Sequence, residues 1–360
     1  MSDLLRRNLE DILTLREQRA RGSTILFGGD LLVPAEHAQK ILSARLAPHG
    51  YTTFLRHDGG LTWVQILPAT TPATPRSRPM LNVVLFGLTL LSTLAAGSVI
   101  VGSLPWVTFD PWVTPGHLLD GFPFAGTLLA ILVTHEFGHY FTARANGVAV
   151  SLPYFIPAPP PFFFGTFGAV ILMRAPARDR NALFDIAAAG PLAGLVIAVP
   201  ALWIGLGWSH VATVPAGQNL IFGDSLLMRA MTYAKFGAIP PGMDVFVHPV
   251  ALAGWFGLFV TALNLFPVGQ LDGGRIAYAL FGRHHRLVSR GAFIGLLLLA
   301  AVTQSLNWVV WAALLFFMVG FHHQAPVDDV TPLSRGRYAL GAVCLALLVL
   351  LIPPVPIQVT

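Results

Sequence analysis

The chain changes character near residue 80. Before it, apolar and charged positions interleave as in a small soluble module; after it, long apolar stretches are divided by short polar ones. Residues 4 to 20 place Leu4, Leu5, Leu9, Ile12 and Leu13 at helical spacing among Arg, Glu and Asp, so residues 1–20 are predicted as one amphipathic helix. Residues 21–70 read as a small α+β module. TILFGGDLLV is strand and turn, and AEHAQKILSARLAPHG is a helix closed by Gly50. YTTFLRHDGG and LTWVQILP form a hairpin that turns at His57-Asp58-Gly59-Gly60. This module shows no catalytic constellation, and a docking or regulatory role is expected. The Pro- and Thr-rich residues 71–79 form a linker, and residues 80–356 form the second, membrane-embedded domain.

Apolar runs of near-bilayer length fall at 81–104, 124–142, 182–207, 250–267, 288–304, 308–321 and 338–352. They predict a polytopic α-helical membrane protein with about six to seven transmembrane helices. Residues 291–321 are interrupted only by Gln304-Ser305 and Asn307. One straight helix there would span about 46 Å against a hydrocarbon core of about 30 Å, so a helical hairpin is predicted. The long connection 208–249 is a candidate lid.

Composition sharpens this picture. With 54% hydrophobic and 11% charged residues, the chain is neither a purely cytosolic enzyme nor a nucleic-acid-binding tail protein. If the N-terminal module is cytoplasmic, every one of the 22 Lys and Arg residues except Arg229 and Lys235 falls on the cytoplasmic side. That positive-inside bias accounts for the net charge of +5 without an acidic partner. The arginine-dominated cation set points to a GC-rich bacterium, and hence to a multi-pass protein of the bacterial plasma membrane. The N-terminus resembles neither a signal nor a transit peptide, and no cleavage is expected. Cys344 lies alone in an apolar run, which excludes a disulfide framework.

Ionisable residues within an apolar span are costly and mark function. The second span holds three, His135, Glu136 and His139, in LLAILVTHEFGHYFTAR. Residues four apart share a helix face, so both imidazoles can meet one ion while Glu136 can reach a metal-bound water. This HExxH arrangement is that of zinc hydrolases. Random placement of this chain's His and Glu residues would produce the pattern with an expectation of roughly 0.004. A catalytic zinc site needs a third protein ligand. Asp272, in FVTALNLFPVGQLDGGRIAYALF, is the candidate, because it follows a helix break at Pro267 and Gly269 and precedes Gly273-Gly274. Taken alone it also reads as an ordinary helix cap; beside His135 and His139, ligation is the better reading.

HEFGH followed by NLFPVGQLDGG resembles the site-2 protease family of intramembrane zinc metalloproteases, whose pattern is HExxH in one transmembrane helix and N-x-x-P-x-x-x-x-D-G in a later one. Asn264, Pro267, Asp272 and Gly273 match the second pattern, and GPLAG at Gly190 to Gly194 is a third shared feature. The similarity covers about residues 80 to 285, and the wording with its N-terminal module looks most like the PDZ-less plastid and cyanobacterial branch. Two positions depart. Gly269 stands where many members carry a second proline, and Gly194 where many carry asparagine.

The resemblance implies one zinc ion per chain, held by His135, His139 and Asp272. It implies that Glu136 takes a proton from the attacking water and returns it to the leaving amine. Asn264 is then either a hydrogen-bond donor to the substrate or oxyanion, or a structural bond between helices. Arg144 follows His139 by five residues, which places the metal about 8 Å inside the cytoplasmic end of the span at 1.5 Å per residue. Prolines from Pro153 to Pro161 forbid a helix, and the residues after them resemble the family's membrane-associated β-hairpin. Residues 162–174 are expected to form the edge that holds an unwound substrate. The expected partners are a transmembrane protein substrate, such as an anti-sigma factor or a signal-peptide remnant, and membrane lipid; nucleic acid is not expected, and no residue fixes the oligomeric state. Two competing classes are a catalytically silent scaffold or chaperone of the same fold and a metal or ion transporter. Glu136 and Asp272 oppose the first, and the clustering of polar residues at one end of the spans opposes the second. His284-His285 and His322-His323 are expected to anchor span ends at the interface, and Asp185 to start a helix.

Overall fold

The computed structural model describes residues 2–69, 78–104, 115–159, 162, 164–215, 217, 220–321 and 325–359. Most of the 71–79 linker, with His322 and His323, lies outside them. The N-terminal module runs α1 (Ser2–Arg7), β1 (Leu13–Arg21), β2 (Thr24–Leu31), α2 (Ala35–Leu46), β3 (Tyr51–Asp58) and β4 (Leu61–Pro68). Its strands form one antiparallel sheet in the order β1-β2-β4-β3. The β3–β4 turn closes where Asp58 pairs with Leu61, and Gly59 and Gly60 at φ +61° and +81° supply the left-handed conformations this tight turn needs.

The expected amphipathic helix over 1–20 ends instead at Arg7, and Leu13–Arg21 is a strand. The apolar residues that suggested a helical face, Leu5, Leu9, Ile12 and Leu13, are buried with Phe27, Leu42 and Leu46 in the module's own core. The pairing of β1 runs from Leu13↔Leu31 to Arg21↔Thr24, and that tertiary pairing overrides the local pattern. Charged side chains at Arg16, Glu17 and Arg19 suit its position at the sheet edge.

The second part comprises α3 (Pro79–Ile100), α4 (Pro115–Asp120), α5 (Phe122–Ala145), β5 (Tyr154–Pro157), β6 (Thr166–Val170), α6 (Arg180–Gly207), β7 (His210–Thr213), β8 (Leu220–Phe222), α7 (Leu226–Phe236), β9 (Met243–Phe246), α8 (Pro249–Asn264), α9 (Asp272–Phe281), α10 (His285–Thr303), α11 (Leu306–Leu314), α12 (Arg335–Leu351) and β10 (Ile357–Val359). Among the described residues, three helical stretches are long and apolar enough to cross a membrane: Pro79–Ile100, Arg180–Gly207 and Asp272–Thr303. Pro249–Asn264 and Leu306–Phe317 are shorter apolar helices. α5 has 24 residues, about 36 Å at 1.5 Å each, but His135, Glu136 and His139 interrupt its apolar character.

The core forms where α5, α6 and α8 meet, around Phe124, Leu128, Ala198, Leu202, Ala251 and Leu258. Small residues set the spacing. A Cβ added at Gly205 would lie 2.2 Å from the Ala251 nitrogen, and one at Gly254 would lie 2.7 Å from the Leu202 nitrogen. Such contacts let helix backbones approach closely where lipid offers no hydrophobic drive for packing. The predicted break near residue 304 is present. Gln304 takes φ +52°, ends α10 and lets α11 begin at Leu306, and the two helices pack together around Leu296, Ala300, Trp308 and Ala312.

The 208–249 connection carries its own structure. β7 pairs with β9, and β8 pairs with β10 from the far end of the chain. β5 and β6 form a two-stranded hairpin with Tyr154 opposite Val170. The proline-rich segment read only as a helix breaker therefore supplies one of its strands.

A strap between α11 and α12 joins the two parts. The Leu55 nitrogen on β3 donates to the Val327 carbonyl (2.9 Å), and the Asp329 nitrogen donates back to Leu55 (3.1 Å). On the strap's other side, the nitrogens of Val327 and Asp328 donate to Ala177 and Arg178 (2.9 and 2.8 Å). Asp185 does not start α6. Asp179 caps that helix by accepting from the Ala182 nitrogen, and Asp185 holds the guanidinium of Arg337 on α12. His285 is buried, not interfacial, and its Nε2 lies 3.0 Å from Ser289 Oγ, which donates to the Pro267 carbonyl.

Leu42 is fully buried in the module core. Leu42→Ala is expected to destabilise the module by about 2–5 kcal/mol. Hydrogen exchange on the intact protein should show faster exchange across β2–β4 and unchanged protection in α5 and α6; uniform protection throughout would refute it.

Candidate metal centre

His135 and His139 lie one turn apart on α5 and face α6 and α9. Their Nε2 atoms are 3.1 Å apart. Asp272, the first residue of α9, brings Oδ2 to 3.1 Å from His139 Nε2 and 3.5 Å from His135 Nε2. The two histidines are only 5% and 8% exposed and Glu136 only 6%, so the cluster is shielded from bulk water.

Asp272 reaches this depth because the chain breaks between α8 and α9. α8 stops at Asn264, and Gly269 takes φ +55° in the following turn. A Cβ at Gly273 would fall 1.9 Å from the Leu265 carbonyl oxygen, and one at Gly274 would fall 2.4 Å from that of Gly269. Only residues without side chains let the turn fold back so tightly. Gly269 also explains one departure from the family pattern, since a proline cannot adopt positive φ.

α6 completes the enclosure. The His139 Nδ1 lies 2.7 Å from the Ile186 carbonyl oxygen. That contact requires the proton on Nδ1 and leaves the Nε2 lone pair facing Asp272 and His135. Gly190, one turn along α6, lies against the ring; an added Cβ would sit 2.1 Å from His139 Nε2. A Cβ at Gly138 would sit 2.7 Å from the Ala189 carbonyl oxygen, so the glycine of HEFGH and those of GPLAG serve one close contact. At Gly194 a Cβ would meet His135 at 3.4 Å, an ordinary van der Waals contact, so this position borders the cluster without crowding it.

Two imidazole nitrogens and a carboxylate oxygen form the group of possible metal ligands found among the described residues. Tetrahedral coordination at about 2.0–2.1 Å separates ligand atoms by about 3.3 Å, close to the spacings observed here. The residues present therefore fit a divalent ion that favours nitrogen and oxygen donors. Glu136 lines the same cavity, as do Asn264, Arg275 and residues 169–171 of the hairpin. Asn264 Nδ2 is 3.5 Å from His135 Nε2, which places it at the border of the cluster. Arg275 Nη1 stands 4.0 Å from Asp272 Oδ1. Thus all five sequence-predicted site residues line one cavity. Three contributors escaped the sequence reading. Arg275 had a signal, standing one turn after Asp272; the Ile186 carbonyl and the steric role of Gly190 had none that side-chain chemistry could reveal.

Comparison with known proteins agrees with this geometry. Residues 123–303 match the model of peptidase family M50. The chain is 34% identical over 241 residues to the probable zinc metalloprotease EGY1, chloroplastic, of Arabidopsis thaliana, covering 65% of this chain and 43% of that protein. It is 30% identical over 251 residues to the probable zinc metalloprotease EGY2, chloroplastic, of the same plant, covering 68% and 43%. The chain thus spans less than half the length of these relatives. No solved structure matches it.

Gly190→Ala is expected to displace the His139 ring and weaken metal retention by about 10–100-fold, the range seen when groups supporting a ligand are lost. Metal content of purified protein after dialysis against graded chelator checks this; retention equal to wild type would show that α6 does not constrain the ring.

Proposed function

The chain belongs to peptidase family M50, the membrane-embedded site-2 proteases, and from that membership we propose that it is a zinc-dependent endopeptidase cutting peptide bonds within or near transmembrane segments of other proteins. The observation that carries the reading is the convergence of His135, His139 and Asp272 beside Glu136 in a cavity walled by apolar helices. The names of the plant relatives support zinc as the ion.

Bound at that cluster, zinc supplies a Lewis acid for the scissile carbonyl and makes a coordinated water more acidic. His135, His139 and Asp272 hold the ion, and the Ile186 carbonyl fixes the ring of His139. Glu136, with no ligating role, accepts the proton of the attacking water and delivers it to the leaving amine. Asn264 at the cavity border offers its Nδ2 as donor to the substrate carbonyl as negative charge develops. Burial of the cluster strengthens each of these electrostatic interactions.

A transmembrane helix hides its peptide bonds within its own hydrogen bonds, so it must be opened first. Among the described residues β6 pairs with β5 along one edge only, and Ala169, Val170 and Ile171 line the cavity. In this reading the free edge of β6 takes up an extended stretch of substrate through backbone hydrogen bonds, with little demand on sequence. The substrate is a single-span membrane protein, such as an anti-sigma factor or signal-peptide remnant. About six to seven helices span the bilayer with the N-terminal module cytoplasmic, an orientation supported by the distribution of arginine. The arginine-rich composition supports a bacterial plasma membrane, whereas the plant relatives are named as chloroplastic.

Purified Glu136→Gln in nanodiscs should keep about one zinc per chain and lose about 10²–10⁴-fold in cleavage of single-span membrane peptides. Wild-type cleavage should be abolished by chelation. A wild type that holds zinc yet cuts no peptide, in vitro or in cells, would favour a scaffold instead. Ala169→Pro should remove the strand edge and abolish cleavage while zinc content stays at the wild-type level; undiminished cleavage would eliminate β6 as the clamp.

A further inference from the structure

A second polar cleft, of about 360 Å³, opens where the N-terminal module meets the membrane domain. His57 and Gly60 of the β3–β4 hairpin form one wall, and Arg180, at the start of α6, forms another. Gly282, Arg283 and His284, between α9 and α10, form the third, with Asp329 of the strap at the base. Three distant parts of the chain converge there, and neither the metal centre nor the proposed proteolysis uses them.

The cleft carries a surplus of positive charge. Asp329 is already committed, accepting from Arg180 Nε and from the Tyr278 hydroxyl, each at 2.8 Å. The neighbouring Asp328 turns its carboxylate onto Val330, Thr331 and its own strap. Arg56, behind the cleft, donates to the carbonyls of Leu55 and Pro326. Burial lowers its pKa from the ordinary guanidinium value, opposed by the charge of Asp329 and, less strongly, of Asp328. Arg283 lines the cleft and forms no ion pair among the described residues. Gly282 at φ +54° lets the Arg180 guanidinium lie against the backbone, since a Cβ would fall 2.6 Å from Nη2. With Arg180 paired to Asp329, Arg283 is the uncompensated charge of this lining among the described residues, and two histidines stand beside it.

We propose that this cleft binds a phosphate-bearing anion, either the headgroup of an anionic phospholipid or a soluble polyphosphate, held by Arg180, Arg283 and His284. Guanidinium forks match phosphate oxygens in pairs, and charge-assisted bonds of this kind are strong. An extended acidic peptide fits less well, because the strap already covers the outer edge of β3 on which it would pair. An occupant would bridge the module's hairpin to the end of α9, the helix that begins with Asp272.

The test uses the full chain in phosphatidylcholine nanodiscs at constant ionic strength. One arm titrates sodium pyrophosphate and, separately, ATP, and reads the thermal unfolding midpoint. The other replaces part of the lipid with phosphatidylglycerol and counts retained anionic lipid by native mass spectrometry. The expected result is saturable binding by wild type in one arm, weakened about tenfold or more in Arg283→Gln, as loss of one charge-assisted contact predicts. Arg290→Gln, outside the cleft, should bind like wild type. Zinc content should be unchanged throughout, so the outcome is independent of whether the chain cleaves peptides. Absence of saturation in both arms, equal binding by wild type and Arg283→Gln, or an equal loss in Arg290→Gln would each overturn the proposal.

Discussion

Three potential ligand atoms, His135 Nε2, His139 Nε2 and Asp272 Oδ2, lie within 3.1 to 3.5 Å of one another in a buried site. Gathering them there is unfavourable unless a proton or a cation is shared among them, and the surrounding fold reads as the set of conditions for the gathering. α5 must be continuous so that two imidazoles share one face. The α8–α9 segment must be broken so that a carboxylate reaches the same depth. α6 must come close enough for the Ile186 carbonyl to set the tautomer of His139. The last two requirements are met by glycine, at Gly269, Gly273 and Gly274 in the break and at Gly138 and Gly190 between α5 and α6. Close backbone approach, more than any single polar contact, determines the centre's geometry.

What could be read from sequence follows the range of the forces involved. His135, Glu136 and His139 are a local signal, since helical periodicity alone aligns residues four apart. Asp272 was legible because Pro267 and the glycines advertise a break and because the resemblance named its partners. The helix boundary at Gln304 was legible from length, as one helix could not fit the bilayer. Elements fixed by distant pairing were not. β1 takes its conformation from β2, β8 from the far C-terminal β10, and the proline-rich β5 from β6. His285 looked interfacial because it sits among arginines, yet its partner Ser289 and the Pro267 carbonyl bury it. Backbone carbonyls such as that of Ile186 carry no mark in the sequence.

The hairpin and the metal centre are matched in a way that neither would require alone. β6 presents its residues to the cavity next to Glu136, and Thr166 steadies the hairpin by donating to the Ile156 carbonyl at 2.9 Å. Asn82 on α3 donates to the Leu152 and Pro153 carbonyls, and Ser92 donates to that of Gly165, so the hairpin is tied to the first long apolar helix. The hairpin is thereby held by side-chain bonds from α3 to its backbone, while among the described residues the second edge of β6 pairs with no strand. A rigid edge is a better template for an extended chain than a mobile one, because less order must be created on binding.

The strap extends this logic to the module. Its backbone pairs with β3 on one side and with the loop before α6 on the other, and Asp329 reaches both Arg180 and Tyr278. Arg180 begins the helix that carries Gly190, and Tyr278 lies on the helix that begins with Asp272. A displacement of the module would therefore act on two of the three helices that frame the centre, through hydrogen bonds and one ion pair that are half-shielded from water. Arg337 on α12 adds a third tie, because its partner Asp185 immediately precedes Ile186, the residue whose carbonyl holds His139. Coupling along such a route needs no large motion. The ligand atoms sit close to tetrahedral spacing, and that spacing depends on the same three helices that the strap and Arg337 tie together.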